Sequence, residues 1–309
     1  MKKEIADGVW PTMVTPFTDK NEIDYHALEE LIEWYINNKA DGLFAVCQSS
    51  EMFYLSLEER VCLASFVAGK AKGRIPVIAS GHISEEPDKQ IEEVRRIADT
   101  GIDAVVLITN RFMAEGETEE TFKRNLERFL SAIPADIQLG LYECPYPCKR
   151  LMTPELLKWC ALTDRFLFLK DTSCDPVNIA NKLEAIKGTG LKLYNANSAT
   201  LLQSLKEGAC GYSGILGNFF PELFAWLIRN WKSKPEMALA LQNFLGVAAP
   251  IEKRIYPVCA KHYQQLNGVH IQLHSRMQNS AMYLQTPSFG VEIQQLHELA
   301  REYKERYGK

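Results

Sequence analysis

An eightfold alternation of short apolar runs with longer amphipathic segments constrains the fold of this chain more than any other feature. Most of the short runs are apolar throughout, which is typical of parallel strands that are buried on both faces. The pattern predicts eight strands, namely Gly8–Val14, Gly42–Val46, Pro76–Ala79, Ala104–Ile108, Gln138–Tyr142, Phe166–Lys170, Lys192–Asn195 and Cys210–Ile215.

The segments between these runs have helical patterns. Ser56 followed three residues later by Glu59 is a capping box, which predicts that a helix begins at Leu57. Pro154 and Pro176 stand where a helix's first turn tolerates a missing N–H group. The predicted helices are His26–Asn38, Leu57–Ala71, Glu86–Thr100, Glu117–Ala132, Pro154–Leu162, Pro176–Ile186 and Ala199–Lys206.

Strands that alternate with helices indicate βαβ units and a parallel sheet. A doubly wound open sheet gives a similar alternation, but the count of eight and the lack of a G-x-G-x-x-G motif after the first strand favour a (β/α)8 TIM barrel. From Pro221 to Tyr307 the pattern is helical, with breaks at Pro235 and Pro250. We therefore predict a barrel over residues 1–220 and a C-terminal helical extension over 221–309, packed together as one functional unit.

Composition narrows the class of protein further. The 309 residues are 46% hydrophobic and 24% charged, with a net charge of −4, which is ordinary for a soluble globular protein. Scattered basic residues give no reason to expect nucleic acid or an anionic membrane as a partner. The amino terminus becomes acidic where a signal peptide needs an apolar core, and no apolar run is long enough to span a bilayer. We expect a cytoplasmic protein.

The eight cysteines lie in apolar segments, so reduced thiols are expected rather than a disulfide framework. Cys144 and Cys148 form the only close pair. Their spacing is wrong for a zinc knuckle, and no second pair at ligand spacing follows. The sequence predicts no metal site.

In a barrel of this type, functional residues sit where strands end and loops begin. Lys170 ends the apolar run Phe166–Leu169, so its amine is expected in an apolar barrel mouth where burial lowers its pKa. A neutral amine is what carbinolamine formation on a ketone requires. The alternative is a strand-end lysine that reaches solvent beside Asp171.

Three other strand ends carry candidate groups. Tyr142 ends the fifth strand, beside the sixth, and is either a proton shuttle or a core tyrosine with a satisfied hydroxyl. The loop Cys47–Glu51 offers hydroxyl and N–H groups for a carboxylate, or is a simple turn. The glycine-rich segment Gly208–Asn218 indicates either a phosphate site or close backbone packing.

These residues resemble the dihydrodipicolinate synthase / N-acetylneuraminate lyase family of class I aldolases. The similarity covers roughly residues 5–300, and four motifs occur in the family's order. They are Gly8–Phe17 with Ile23-Asp24, Ser49-Ser50-Glu51 with the helix start after Leu55, Tyr142 with Pro145, and Leu169-Lys170-Asp171-Thr172-Ser173.

The resemblance implies that Lys170 forms an imine with a 2-oxo acid such as pyruvate and that Tyr142 relays protons. It further implies that Ser49, with Ser50 and nearby N–H groups, holds the substrate carboxylate, and that Ser213 lines the pocket. Members of the family need no metal or organic cofactor. Most of them are homotetramers built as pairs of dimers, so we expect the same here.

The sequence departs from the synthases at three places. Gln48 stands where they carry a relay hydroxyl, and Phe112 stands where they carry a tyrosine that reaches across the dimer interface. Pro147 stands where they carry an arginine for the second substrate's carboxylate. Gln48 and Phe112 therefore count as candidate substrate-binding residues, and the imine-forming half of the site is kept while the acceptor half is rewritten.

The leading hypothesis is a lyase that cleaves or forms a hydroxylated 2-oxo acid through a lysine imine with pyruvate. Three alternatives share the fold: a 2-oxo-3-deoxy sugar acid dehydratase, a true 4-hydroxy-tetrahydrodipicolinate synthase, and a barrel that binds a metabolite without catalysis. A phosphate-binding barrel without imine chemistry depends on the Gly208–Asn218 segment alone.

Overall fold

The computed structural model describes residues 5–114 and 116–307, and within them eight parallel strands form one sheet in the order β1-β8-β7-β6-β5-β4-β3-β2. The segment after β1 joins β2, because Thr12 bridges Phe44 in parallel register and Met13 N donates to Phe44 O at 3.1 Å. The predicted (β/α)8 barrel is therefore confirmed. The strands are β1 Gly8–Val9, β2 Leu43–Phe44, β3 Val77–Ala79, β4 Ala104–Ile108, β5 Leu139–Tyr142, β6 Phe166–Asp171, β7 Lys192–Asn195 and β8 Gly211–Tyr212.

Each strand is followed by a helix, so that the first eight helices follow β1 to β8 in order. Four more helices come after the last of these units. The helices are α1 Tyr25–Asn37, α2 Leu57–Ala71, α3 Pro87–Ala98, α4 Glu119–Ala132, α5 Pro154–Leu162, α6 Pro176–Ala185, α7 Leu201–Lys206, α8 Pro221–Asn230, α9 Pro235–Ala248, α10 Val258–Leu266, α11 Ser280–Leu284 and α12 Pro287–Tyr307.

The first and last strands are shorter than predicted, and both differences have a local cause. β1 ends at Val9 rather than Val14 because Pro11 has no N–H group to continue a ladder. The chain stays extended past that point and closes the barrel through Thr12. β8 ends at Tyr212, and Ile215, predicted as strand, instead begins the 3-10 helix Ile215–Asn218.

The predicted capping box of α2 is confirmed. Ser56 Oγ accepts from Glu59 N at 3.2 Å, and Glu59 Oε2 accepts from Ser56 N at 2.8 Å. Pro154 and Pro176 occupy the first turns of α5 and α6, as predicted. Helix starts are therefore where sequence and structure agree best.

Aromatic side chains from several strands meet inside the barrel. Phe168 on β6 stacks on Tyr194 at 4.4 Å between ring centroids and contacts Trp10 at 5.7 Å. It also meets Phe44, on the opposite strand β2, at 6.2 Å. Because β2 and β6 face each other across the barrel, these rings fill its interior. They form an apolar floor on the amino-terminal side of the strand ends.

The C-terminal part of the chain packs on the barrel. Helix α8 lies against β1, in the place of the eighth barrel helix. Gln242 of α9 accepts from Leu202 N at 2.8 Å and donates to Ser198 O at 2.8 Å, so the extension is tied to the start of α7. The chain was predicted to be helical from Pro221 to Tyr307 with breaks at Pro235 and Pro250. This prediction is wrong over 267–279, a non-helical stretch that contacts the barrel mouth. The division at residue 220 remains a prediction.

None of the helices in residues 5–114 and 116–307 combines the length and the apolar character needed to cross a membrane.

Candidate active site

Lys170 and Tyr142 lie side by side at the carboxyl ends of β6 and β5. The two residues are register partners in the parallel ladder, and Lys170 Nζ lies 4.5 Å from the centroid of the Tyr142 ring. Both side chains are buried, with 5% and 3% of their surface exposed. The structure therefore brings together the two residues that the sequence predicted as the centre of the site.

Burial sets the protonation of both groups. It lowers the pKa of Lys170 from 10.5 to about 8, against weaker opposing effects of Cys47, Cys144 and Glu252. Burial also raises the pKa of Tyr142 well above its usual value. The site thus combines an amine that loses its proton at mildly alkaline pH with a phenol that keeps its proton.

The loop after β2 gives its two serines different surroundings. Ser49 Oγ donates to Thr12 Oγ1 at 3.1 Å, on the segment that follows β1. Ser50 Oγ instead donates to Cys47 O and accepts from Cys47 N, both at 2.7 Å. The Ser50 hydroxyl is therefore engaged in shaping the loop, and Ser49 is the serine that faces other polar side chains.

The C-terminal extension holds this loop in place. Glu51, at the loop's end, has a left-handed backbone conformation with φ 63°. Its buried carboxylate accepts from Lys261 Nζ at 3.1 Å, Ser275 Oγ at 2.9 Å, Arg276 N at 2.6 Å and Met277 N at 2.8 Å. The non-helical stretch 267–279 therefore closes around the one carboxylate of the loop.

A polar cluster that the sequence did not reveal surrounds Ser49. Asn218 Nδ2 donates to Thr12 O at 2.8 Å and to the Tyr256 hydroxyl at 3.1 Å, and Asn218 Oδ1 accepts from Tyr35. Ser49 lies near enough to the Tyr256 hydroxyl to oppose the effect of burial, which raises the pKa of Tyr256. Tyr256 comes from the extension and Tyr35 from α1, so no local sequence pattern could have linked them.

The Gln48 side chain is linked to Tyr142 by the thiol of Cys144, which lies between them. Cys144 Sγ donates to Gln48 Oε1 at 3.6 Å and also lies within hydrogen-bonding reach of the Tyr142 hydroxyl. Burial raises the pKa of Cys144 to about 11, so this thiol stays protonated. Its neighbour in sequence, Cys148, is exposed. The sequence treated the two cysteines as a pair, whereas only Cys144 belongs to the site.

The ring contacts of Phe112 are with other aromatic groups. The Phe112 ring stacks on His82 at 5.1 Å and meets Phe122 and Phe129 of α4 at 5.6 and 5.4 Å. Burial lowers the pKa of His82 to about 3, so that ring is neutral. Phe112 therefore lies in an aromatic cluster between β4 and α4. None of its ring contacts involves a residue beside Lys170.

Ser213 follows β8, and its hydroxyl is buried with no hydrogen-bond partner among the described residues. The glycines around it are explained by packing. A Cβ at Gly211 would lie 1.9 Å from Gly8 O, and one at Gly214 would lie 2.4 Å from Ala196 O. The glycine-rich segment thus allows the backbones to approach closely where the barrel closes, which favours packing over a phosphate site.

The loop after β5 is shaped by one amide side chain. Asn110 Nδ2 donates to the carbonyl oxygens of Cys144, Tyr146 and Cys148 at 3.0, 2.9 and 2.8 Å. This loop contains Pro147, preceded by a cis peptide bond. The backbone that carries Pro147 is therefore fixed against the 3-10 helix Thr109–Arg111, which follows β4.

The fold and the site together define a (β/α)8-barrel enzyme whose mouth is centred on a buried lysine and a buried tyrosine. Residues 6–287 match the sequence model of the dihydrodipicolinate synthetase family. The chain belongs to this family of lyases.

Individual relatives agree with that assignment. The chain is 27% identical over 276 residues to the 4-hydroxy-tetrahydrodipicolinate synthase of Clostridium tetani, covering 86% of this chain and 90% of the relative. Among solved structures, dihydrodipicolinate synthase from Bacillus anthracis superposes with a TM-score of 0.86 at 18% identity, over 96% of this chain and 99% of that one.

A family member from E. coli K12, a prophage protein solved in complex with pyruvate, gives a TM-score of 0.83 at 23% identity, over 96% and 98% of the two chains. A protein from Clostridium difficile solved with mannosamine gives 0.83 at 18% identity, over 94% and 98%. These structures agree with the fold described above.

Proposed function

We propose that the protein forms an imine between Lys170 and a 2-oxo acid such as pyruvate, and uses it to cleave or form a hydroxylated 2-oxo acid. One observation carries the proposal: a buried amine with a pKa of about 8 lies 4.5 Å from the ring of a buried tyrosine. A structural lysine is disfavoured here, because desolvation penalises its charged form by more than the contacts with the Phe44 and Tyr142 rings offset. An imine-forming lysine needs this environment.

The reaction follows from these two groups. The neutral Lys170 amine attacks the ketone carbon to give a carbinolamine, and Tyr142 donates the proton with which hydroxide leaves as water. In the cleavage direction the resulting iminium accepts the electron pair of the C3–C4 bond. The C4 hydroxyl gives its proton to the Tyr142 phenolate left by the preceding step, and an aldehyde departs. Protonation of the enamine at C3 and hydrolysis release pyruvate and return the amine. No oxidant or reductant is required.

Ser49 is our candidate for the substrate carboxylate. Its hydroxyl belongs to the cluster of Thr12, Asn218 and Tyr256, which offers several donors without a full positive charge. Hydroxyl and N–H donors of this kind suit a carboxylate at a desolvated site. Ser213, with its unengaged buried hydroxyl, is a second candidate donor.

The acceptor side supports a substrate other than aspartate semialdehyde. Pro147 offers no donor. The two nearby arginines are engaged elsewhere, since Arg150 Nη2 donates to Ala114 O at 3.2 Å and Arg111 lies 3.6 Å from the Glu85 carboxylate. We therefore favour a hydroxylated aldehyde without a carboxylate over the substrate of a true 4-hydroxy-tetrahydrodipicolinate synthase, although several relatives carry that name.

Dehydration of a 2-oxo-3-deoxy sugar acid remains the second candidate, because it begins from the same lysine imine. Pyruvate release from a panel of 2-oxo-3-deoxy sugar acids separates the two reactions, since only cleavage yields pyruvate.

Borohydride reduction in the presence of pyruvate tests the proposal. We expect a covalent adduct on every active chain, and tryptic mapping should locate it at Lys170. An adduct on Lys149 would refute the assignment of the imine to Lys170. The absence of any adduct under saturating pyruvate would refute imine formation and favour the alternative of a barrel that binds a metabolite without catalysis.

We further propose a cytoplasmic homotetramer in which barrel and extension act as one unit. Tyr256 and Lys261 support the last point, because both come from the extension and reach the loop Cys47–Glu51. The oligomeric state follows from the family resemblance alone, and one related structure is described as a monomeric variant of dihydrodipicolinate synthase. Light scattering on the purified protein decides between a tetramer and smaller species.

A further inference from the structure

A buried ionic cluster lies directly behind the two central residues. Glu143 follows Tyr142 on β5, Asp171 follows Lys170 on β6, and Lys182 comes from α6. All three side chains have 0% of their surface exposed. Tyr142 and Lys170 point into the barrel, and successive residues of a strand point to opposite faces. Asp171 and Glu143 accordingly point toward the helix layer, where both contact Lys182 of α6.

Lys182 joins the two carboxylates. Its Nζ donates to Asp171 Oδ2 at 2.6 Å and makes a second, short contact with Glu143 Oε1. Asp171 Oδ1 accepts from Ser173 N at 2.9 Å and from Ser173 Oγ at 2.7 Å. The ammonium therefore links the end of β5, the end of β6 and helix α6 through one atom.

Glu143 adds direct links between the two strands. Its Oε2 accepts from Thr172 N at 3.0 Å and its Oε1 from Met152 N at 2.7 Å. Its carbonyl oxygen accepts from Thr172 Oγ1 at 2.6 Å. These bonds fasten the residue after Tyr142 to the second residue after Lys170, beyond what the strand ladder provides.

The strand ladder alone fixes this pairing less firmly. The register between β5 and β6 shifts between Leu139 and Gly140, shortly before the point where Tyr142 pairs with Lys170. A buried ion group of this kind generally adds little stability compared with apolar side chains of the same volume. Three apolar side chains in place of Glu143, Asp171 and Lys182 would hold α6 to the sheet equally well. Stability therefore does not explain why these three residues are charged, whereas a role in fixing the two strand ends does.

We propose that Glu143, Asp171 and Lys182 are positioning residues that hold the Tyr142 hydroxyl at its working distance from Lys170 Nζ. The inference rests on the proposed imine chemistry. A misplacement of about 1 Å between reacting groups costs on the order of a hundredfold in rate. The cluster therefore affects proton transfer at the imine rather than the presence of the amine.

Glu143→Gln and Asp171→Asn are the test variants, because each leaves Lys182 paired with one carboxylate and no charge unpaired. Pyruvate in D₂O is the probe, so the second substrate is not needed. Borohydride trapping counts the Lys170 residues that form an imine, and proton NMR follows exchange of the pyruvate methyl hydrogens. The exchange rate per trappable lysine then reports the positioning of Tyr142 in correctly folded chains only.

We expect each variant to trap pyruvate at Lys170, with exchange per trappable lysine reduced about tenfold or more and half-saturating pyruvate changed less than about threefold. A purely structural role would lower the trappable fraction and leave the rate per site unchanged. The matched control is Arg60→Met with Glu93→Gln, which removes a buried pair joined at 2.7 Å between α2 and α3. Its exchange rate per site should equal that of the wild type.

Exchange per site within about twofold of the wild type in both variants would overturn the inference. If neither variant folds, Thr172→Val decides, since it keeps the shape of the side chain and removes only the bond to the Glu143 carbonyl oxygen. Unchanged exchange in that variant would also overturn it. A wild-type protein that traps no pyruvate refutes the proposed function itself, which is a separate and recognisable result.

Discussion

Lys170 Nζ on β6 lies 5.9 Å from the centroid of the Phe44 ring on β2, across the barrel. The amine thus faces the aromatic floor rather than water, and this explains why desolvation is the main cause of its lowered pKa. The attraction of an ammonium to a ring face offsets only part of that cost. Two consequences follow, one for reactivity and one for stability.

The rate of imine formation should depend on pH through the Lys170 amine. Because only the neutral amine attacks a ketone, the rate should rise with pH to a plateau above its pKa of about 8. Rapid-quench borohydride trapping with pyruvate across this range measures the profile. A midpoint near 10.5, the value of an ordinary lysine, would contradict the burial argument.

Lys170→Met should stabilise the fold at neutral pH. Lowering the pKa from 10.5 to about 8 corresponds to a cost on the order of 3 kcal/mol for burying the charged form. The cost is present in full below pH 8, where folded and unfolded chains are both protonated. It declines between pH 8 and 10.5, because there the folded chain binds fewer protons than the unfolded chain.

Urea unfolding at the two ends of that pH range measures this effect. The free energy of unfolding of Lys170→Met should exceed that of the wild type near pH 7 and match it near pH 10.5. A variant that is equally stable or less stable at neutral pH would show that contacts other than those with the Phe44 and Tyr142 rings stabilise Lys170.

Tyr142→Phe should slow turnover by about 10²–10⁴-fold while the fold is kept. The Tyr142 ring packs on Phe44 at 5.8 Å, and the substitution preserves that contact. Methyl-hydrogen exchange of pyruvate in D₂O is again the measurement. Tyr263→Phe is the matched control, because that buried hydroxyl lies in α10 and has no hydrogen-bond partner within the described chain. Equal rates in Tyr142→Phe and the control would require another proton donor.

The positions of Lys170 and Tyr142 could be predicted because a strand end is a local property. An apolar run followed by one polar residue indicates that this residue lies at the carboxyl end of a strand. Residues at the ends of neighbouring parallel strands, such as Tyr142 and Lys170, then lie side by side. Helix starts such as that of α2 were predictable for the same reason, since a capping box lies within four residues.

The remaining parts of the site depend on contacts between distant segments. Tyr256 and Lys261 reach the loop Cys47–Glu51 from the C-terminal extension, and no periodicity encodes that approach. Lys182 stands in an ordinary amphipathic helix, and its burial depends on two carboxylates from other elements. Phe112 was placed at the site by its position in a motif, but such a position does not determine which way a ring points. Its ring stacks on His82.

Tyr256→Phe should raise the concentration of pyruvate needed for half-saturation about fivefold, the equivalent of one neutral hydrogen bond of about 1 kcal/mol. The hydroxyl accepts from Asn218 Nδ2 and reaches Ser49, so its loss disturbs the carboxylate cluster and leaves Lys170 in place. The rate at saturating pyruvate should change little. Tyr283→Phe, which removes a hydroxyl bonded to His262 in the same extension, is the control. A similar increase in both variants would assign the effect to the extension as a whole.

Condensation of pyruvate with aspartate semialdehyde should be negligible, while imine formation with pyruvate alone is normal. That aldehyde carries a carboxylate, and Pro147 stands where a bidentate arginine would bind it. Losing one charge-assisted contact at a desolvated site costs about 1.5–3 kcal/mol, or roughly one to two orders of magnitude in affinity. Arg150 is bonded to Ala114 O and Arg111 lies beside Glu85, so neither replaces the missing group as the loops stand.

A coupled reductase assay measures this condensation, with borohydride trapping on the same preparation as proof of an active site. Gln48, in contact with Cys144 rather than with a relay hydroxyl, should lower the rate further. Efficient turnover would mean that Arg150 leaves Ala114 when substrate binds. Arg150→Met would then abolish the activity, whereas Arg111→Met would abolish it if Arg111 were the residue that moves. If the wild type is active and both variants keep that activity, the carboxylate of aspartate semialdehyde binds elsewhere in the mouth, away from Arg150 and Arg111.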